Sequence, residues 1–488
     1  MSRRILCSVL ALIFLLATGA CAAGCSGKSG DTASATASAM TDTYTTAAET
    51  ELSDELPNAD YDGRAFRVAC QIGAEYEIDV DELNGDIEND SIYERNSRIE
   101  DRFNIVIEDC PIDKGEQATY NAIVKTVLAG DDAYDLAGAE VWSFYIATSN
   151  GIYQNWKDTR YINYDKPWWN SDINEKATFN GKLLGLTGAY AITYLMYQSA
   201  IFFNMPVAAD YGYTSDVLYD TVNSGEWTID RLAETIRPIY ADLNGDSKRD
   251  LGDRYGFTLP HPVAHDIWTT AVGQPITGKD ENGKITIELL TEKTFTTLEK
   301  INAILNENEG GIKMQNDGVY ENNKLFVNEN VVFYPSFLNE AFTAFRDMDV
   351  AYGILPVPKY DEAQDEYHCL VVDGYSIWGL PMTVVDTDYI SMITEALSAD
   401  TFINVYPVYY DIAMKSKYSE DAATADMVDL IVSSGDFDIS FMYGVYFEML
   451  PYIFRQCVAV KSNDLMSKYT AVQAKIEANI ETMYTFYE

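Results

Sequence analysis

Twelve residues between Asp242 and Asp253 (DLNGDSKRDLGD) place oxygen ligands at regular intervals along one loop. Side-chain oxygens fall on loop positions 1, 3, 5, 9 and 12, which are Asp242, Asn244, Asp246, Asp250 and Asp253. Position 7, Lys248, supplies a backbone carbonyl. Such a set matches the oxygen coordination that Ca²⁺ prefers, in the spacing of an EF-hand or dockerin-like calcium loop. Two positions depart from that pattern. Ser247 stands at position 6, where the sharp turn favours Gly, and Asp253 is a shorter arm than Glu for bidentate ligation. A structural calcium ion is therefore expected here, stapling a helix end to a loop, against the plainer alternative of an acidic turn without metal.

A second chemistry comes from aromatic rings beside carboxylates. The chain has 35 Tyr, 20 Phe and 7 Trp. Sugar rings pack apolar faces on aromatic side chains and bridge their hydroxyls to carboxylates and amides. The candidates are Glu140, Trp142 and Tyr145, then Tyr190 and Tyr194, then Trp268, and last Phe337, Asp373, Tyr375 and Trp378. Trp142 next to Glu140 is the strongest pair. Core packing is the competing explanation for every ring, and for Trp168-Trp169, just before a helix signal, it is the preferred one.

Catalytic patterns are missing. With 76 Asp plus Glu, carboxylate pairs occur at every spacing and single out nothing. Only three histidines are present; His261 and His265 stand four apart, but Pro262 lies between them and there is no HExxH. No GxSxG elbow, GxGxxG turn or GxxxxGK[ST] loop occurs. No catalytic residue is assigned.

Local patterns indicate what positions these residues. Arg64 to Cys70 alternates like a strand, and Asn89-Asp90 is expected to cap a helix through Phe103. Asn104 to Glu108 reads as a strand, Glu116 to Leu128 as a helix, and Tyr134 to Ala139 as a short buried strand. This alternation predicts an α/β fold with a parallel sheet covered by helices. Ligands bind beyond the carboxyl ends of such strands, which directs attention to Gln71 to Tyr76 and Glu140 to Tyr145.

The N-terminus has the form of an export signal. Arg3 and Arg4 precede the apolar run Ile5 to Ala17, followed by small residues with Cys21 and Cys25. Residues 1–24 are read as a signal peptide ending before a lipidated cysteine, Cys25, with Cys21 as the alternative. Residues 25–58, rich in Ser, Thr, Ala and Asp, form an unstructured tether. The chain of 488 residues is 47% hydrophobic, enough for a full core, and carries a formal net charge of -42. That charge repels phosphate backbones, so nucleic acid is not an expected partner. Cys70, Cys110, Cys369 and Cys457 make no disulfide scaffold. Free thiols are expected, with a Cys70–Cys110 bridge as the alternative.

Several ordered motifs carry a family resemblance. They are Tyr61-Asp62-Gly63, the run Gly85 to Asn96 (GDIENDSIYERN), Phe103-Asn104-Ile105, Asp165 to Asn170 (DKPWWN), Asn180 to Leu183, Gly225 to Asp230 (GEWTID), Asp242 to Phe257, and Gly353 to Glu362 (GILPVPKYDE). From about Asp60 to Met382 the chain resembles the extracellular solute-binding lipoproteins of bacterial ABC importers, in the family that includes oligosaccharide-binding proteins. The resemblance implies a periplasmic-binding-protein-like fold of two discontinuous α/β lobes that close about a hinge. On that expectation lobe one comprises 59–192 and 326–381, and lobe two 193–325 and 382–488. It further implies a lipid anchor on the extracellular face of the membrane, ABC permease subunits as partners, and capture of a small solute, most naturally an oligosaccharide, without chemistry. Two rival functions stand beside it: a secreted carbohydrate-active enzyme or surface adhesin, and the same fold binding a peptide or a cationic solute.

Overall fold

The computed structural model describes residues 52–488, apart from 113–114, 261, 314–322 and 415–421, and builds the expected strand and helix alternation into two five-stranded sheets. The proposed signal peptide, Cys21, Cys25, most of the tether and His261 lie outside the described residues. No described helix is long and apolar enough to cross a membrane. The first sheet has the order β2 (Ile105–Ile112), β1 (Arg64–Gln71), β3 (Leu136–Glu140), β13 (Ser376–Gly379), β4 (Gly185–Leu186). Here β1 runs parallel to β2 and β3, while β13 is antiparallel to β3 and β4. The second has the order β11 (Tyr352–Leu355), β5 (Ser199–Asn204), β10 (Val331–Phe337), β7 (Arg254–Phe257), β6 (Tyr240–Ala241). Two ribbons, β8 (Thr277–Lys279) with β9 (Ile285–Ile287) and β12 (Cys369–Leu370) with β14 (Gly435–Asp436), complete the strands.

Around the first sheet the sequence signals are nearly literal. Helix α1 (Ile87–Phe103) buries Ile92, Ile99 and Phe103 on one face, and α2 spans Glu116–Leu128. The α1 cap is Asp86 rather than Asn89-Asp90: its carboxylate accepts the N–H groups of Glu88 and Asn89 at 3.1 and 3.3 Å. Asp90 instead folds back onto the N–H groups of Asn84 and Gly85. Two residues inside the expected tether contact the folded body: Asp54 pairs with Arg102 at 2.5 Å and Glu55 with Lys166 at 2.8 Å. Cys70, Cys110, Cys369 and Cys457 are all free thiols.

Two expectations about chain routing are corrected. The pattern of residues 326–336 (FVNENVVFYPS) reads as one strand, expected to run back into the first lobe. Asn323–Val327 is helical instead, Glu329 turns the chain at φ 61°, and β10 enters the second sheet between β5 and β7. Six of its seven residues are buried, as a central strand covered on both faces requires. The chain returns to the first sheet only at β13. The helix Thr387–Asp400, expected over lobe two, packs on the first sheet. The Tyr389 hydroxyl donates to Ala65 O at 3.0 Å, and Asp400 pairs with Arg98 at 2.6 Å. This helix is buried all round from Tyr389 to Ala399, so its sequence has no polar stripe to reveal its seat.

The same helix explains Trp168-Trp169. Glu395 is fully buried and accepts from Trp168 Nε1 at 2.9 Å, Trp169 Nε1 at 2.8 Å and Asn163 N at 3.0 Å. Both rings are core, as expected. Burial pushes the Glu395 carboxyl up to about 7, against the lowering effect of those three donors. The folded protein therefore holds this proton in a pH range where the unfolded chain has released it. Stability is expected to fall as pH rises from about 4.5 towards 7, by on the order of 2–3 kcal/mol from this group alone. In Glu395→Gln that component of the slope should vanish from urea unfolding followed across pH; an unchanged slope would contradict the assignment.

Candidate functional site

A cavity of about 250 Å³ opens at the carboxyl ends of β1 and β3, where an α/β sheet is expected to present a ligand. Gln71 to Ala74 and Tyr76 to Ile78 line it from the end of β1, and Glu140 from the end of β3. Thr193 and Tyr197 close it from the segment that carries the chain from β4 to β5, and Gly374, Ser376 and Trp378 from the approach to β13 and from the strand itself. Two larger hollows of about 450 and 420 Å³ lie elsewhere. One is an open groove beside helices Ile229–Ile236 and Glu292–Asn306; the other is lined by Lys176, His368 and Asp436 among others. Neither shares a lining residue with the strand-end cavity.

Glu77 organises the floor. It is completely buried, and its Oε2 accepts from Thr193 N at 3.2 Å and Thr193 Oγ1 at 2.9 Å, while Oε1 accepts from Ser376 Oγ at 2.6 Å. Ser376 N donates to Thr193 Oγ1 at 2.9 Å and closes the network. Thr193 stands on the segment that carries the chain from β4 to β5, and Ser376 opens β13, where the chain re-enters the first sheet, so one carboxylate ties both places to the end of β1. Burial raises the Glu77 carboxyl above its ordinary range, opposed by Ser376, Thr193 and the field of Arg95. Arg95 is itself completely buried and donates to Glu77 O, Ile78 O and Asn96 Oδ1 at 2.8–3.0 Å, and to Thr401 Oγ1 at 3.3 Å.

The structure divides the residues singled out from sequence. Glu140 lines the cavity and accepts from Gln71 Nε2 at 3.3 Å. Trp378 forms a wall, with Tyr190 stacked on it at 4.8 Å and the Arg95 guanidinium 5.0 Å from the Tyr190 ring. Trp142 and Tyr145 follow Glu140 and are half-buried; Trp142 N donates to Asp373 O at 3.1 Å. Asp373 accepts a short hydrogen bond from the Tyr452 hydroxyl, and Arg455 covers the Tyr452 ring at 4.3 Å while pairing with Asp266. Phe337 is half-buried, 6.4 Å from Tyr197. Tyr190, Tyr194, Trp268 and Tyr375 are core rings that do not line the cavity. Tyr194 packs edge-on against Tyr375 at 5.5 Å and takes a hydrogen bond from Asn170, and Trp268 packs on Phe257 at 6.1 Å.

The stretch Gln71 to Tyr76 singled out from sequence lines this cavity apart from Glu75, and the lining residues Glu77, Thr193, Tyr197 and Ser376 are not among those that sequence reasoning singles out. The only local signal for Glu77 was an acid one residue beyond that stretch. Two lining residues keep buried polar atoms without hydrogen-bond partners, the acceptor Gln71 Oε1 and the donor Trp378 Nε1. The unpaired acceptor and donor, the Glu140 carboxylate and the rings of Tyr76 and Tyr197 together suit a hydroxyl-bearing solute with apolar faces.

The acidic loop of residues 242–253 lies in the connection from β6 to β7. Asp242 accepts from Gly245 N at 2.6 Å and Ser247 N at 3.0 Å, Asn244 from Asp246 N at 2.9 Å, and Asp246 from Lys248 N at 2.8 Å. Ser247, at the position that favours Gly, is left-handed with φ 61°. Asp250 accepts from Gly252 N and from Asn244 Nδ2. Asp253 is completely buried; its Oδ2 accepts from Tyr240 and Asp250 N, and its Oδ1 has no partner. Among the described residues no three His, Cys, Asp or Glu side chains are grouped as a metal site. Asp253 Oδ1, buried and without a hydrogen-bond partner, is an oxygen of this loop that a cation could engage.

No family model and no curated protein sequence matches the chain. Solved structures do. The cyclic alpha-maltosyl-1,6-maltose binding protein of Arthrobacter globiformis aligns at TM-score 0.59 and 9% identity, over 86% of this chain and 100% of that one. The galacto-N-biose/lacto-N-biose I-binding protein of an ABC transporter from Bifidobacterium longum, in complex with lacto-N-biose, aligns at TM-score 0.57 and 10% identity, over 87% and 98%. The GacH receptor of Streptomyces glaucescens, solved unliganded and with acarbose, aligns at TM-score 0.51 and 13% identity, also over 87% and 98%. At such identities the likeness is one of fold: the chain has the α/β architecture of periplasmic-binding-protein-like solute-binding proteins.

Proposed function

We propose that the protein is an extracytoplasmic solute-binding protein that captures a saccharide in the cavity at the ends of β1 and β3 and hands it to an ABC permease. The observation that carries this reading is that the cavity's polar and aromatic lining comes from the first sheet together with the segments linking the two sheets. A solute seated there touches the connections about which the sheets would move, so binding and closure are coupled. In this reading each sheet is the centre of one lobe, and Thr193 and Ser376 lie at the hinge. Glu140 and Gln71 meet sugar hydroxyls, Tyr76 and Tyr197 offer ring faces, and Trp378 closes a wall with its Nε1 as a donor. The protein binds and releases its solute unchanged. The chain is held to the outer face of the membrane by a lipid on Cys25, or on Cys21, and the following segment serves as a tether.

A thermal-shift panel of mono- and oligosaccharides, peptides and polyamines tests the reading, since a ligand of the folded state raises the melting temperature by mass action. Stabilisation by a glycan series, with the glycan recovered intact, is the expected result. Release of hydrolysis products would favour a carbohydrate-active enzyme, and stabilisation by peptides alone would change the cargo.

We also propose that the loop of residues 242–253 binds a structural calcium ion through Asp242, Asn244, Asp246, the Lys248 carbonyl, Asp250 and Asp253. The metal would supply a cross-link between the ends of β6 and β7 and would satisfy Asp253 Oδ1. Asp246→Ala should lower the melting temperature by several degrees in calcium and hardly at all in chelator. An equal loss in both media would contradict a calcium role.

A further inference from the structure

Resting on the saccharide reading above, we propose that the sugar ring seated in the strand-end cavity carries a free primary ammonium, so that the cargo is an amino sugar or an oligosaccharide ending in one. The described lining residues include two carboxylates, Glu77 and Glu140, and three rings, Tyr76, Tyr197 and Trp378, but no Lys, Arg or His. Acid beside aromatic faces is the combination that recognises an ammonium, through charge pairing and through the electron-rich ring faces.

The charges in and around the cavity work in the same direction. Glu77 is held wholly away from water with both oxygens engaged by Thr193 and Ser376, so it acts on a cation in the cavity through its field, and Glu140 is the carboxylate that pairs with the ammonium directly. Arg95, the buried cation whose field reaches Glu77, directs its donors to Glu77 O, Ile78 O, Asn96 and Thr401, and makes no hydrogen bond to the Glu77 carboxylate. A uronic acid or a sulfated sugar would bring a negative charge beside the Glu140 carboxylate with no basic lining residue to receive it. The formal net charge of -42 draws cationic solutes toward the surface generally. Size limits the group concerned: about 250 Å³ falls below the ~300–1,000 Å³ of pockets that engulf a whole drug-sized ligand, so one ring enters and any remaining units stay outside the cavity.

The test is calorimetric titration of the purified full-length protein with four probes: fully deacetylated chito-oligosaccharides, N-acetylated ones of the same length, cello-oligosaccharides, and spermidine as an amine without a sugar. The expected result is at least tenfold tighter binding of the deacetylated series than of either uncharged series, with that ratio reduced at least fivefold in Glu140→Gln. Equal or tighter binding of the uncharged sugars would overturn the ammonium proposal and leave the saccharide reading standing. Binding of spermidine alone, or of none of the four, would overturn the saccharide reading and this proposal with it. The wild-type ratio decides the question even if the variant folds poorly.

Discussion

Glu77→Ala is expected to destabilise the protein by about 3–5 kcal/mol and to abolish solute binding. Three donors converge on this carboxylate from Thr193 and Ser376, and none has solvent to turn to, because Glu77 is completely buried and Thr193 and Ser376 nearly so. Removing the acceptor leaves those groups unpaired at about 1–3 kcal/mol each, reduced where a hydroxyl can rotate to another partner. It also removes one carboxylate whose field Arg95 meets, while Asp400 and Asp79 remain near that guanidinium. Glu77→Gln should cost clearly less, because the shape and one acceptor survive. Urea unfolding with a constant slope and a shifted midpoint would report the loss. A change under 1 kcal/mol for the alanine variant would show that the network does not hold the connecting segments to β1.

Trp378→Ala is the second large effect. The side chain is 1% exposed, stacks on Tyr190 at 4.8 Å and fills the space over Gly138, where even a Cβ would come within 2.2 Å of the indole ring. Loss of so large a buried ring costs about 3–5 kcal/mol through transfer and cavity terms. The cavity also loses a wall, and Tyr190 loses its stacking partner, so affinity for a bound saccharide should fall at least tenfold in whatever fraction remains folded. Trp378→Phe, which keeps a ring over Gly138, should recover most of the stability. Wild-type affinity in the alanine variant would remove Trp378 from the site.

Legibility followed the range of the physics. Helix α2 was read to its observed ends, and β1 to within one residue, because cap and period signals are local. Pattern alone does not place the strand β10 or the helix Thr387–Asp400 on the sheet that each one meets. Both are buried on nearly every side, and a residue pattern without a polar face carries no record of which sheet it meets. The site behaved in the same way. The rule that ligands sit at strand carboxyl ends found Gln71 and Glu140, since it depends only on strand direction. Ring identity did not separate Trp378, which lines the cavity, from Tyr190 directly behind it or from Trp268 in the core. Glu77 was one acid among 76 until burial and three hydrogen bonds distinguished it.

The central claim is that the solute binds at the ends of β1 and β3 against the connecting segments. Hydrogen exchange of the wild-type protein, with and without the saccharide that stabilises it most, tests this directly. The account predicts new protection concentrated in residues 71–78, 138–145, 193–197 and 373–378, with the saccharide recovered intact. Protection confined to other segments, such as the groove beside Ile229–Ile236, would contradict it.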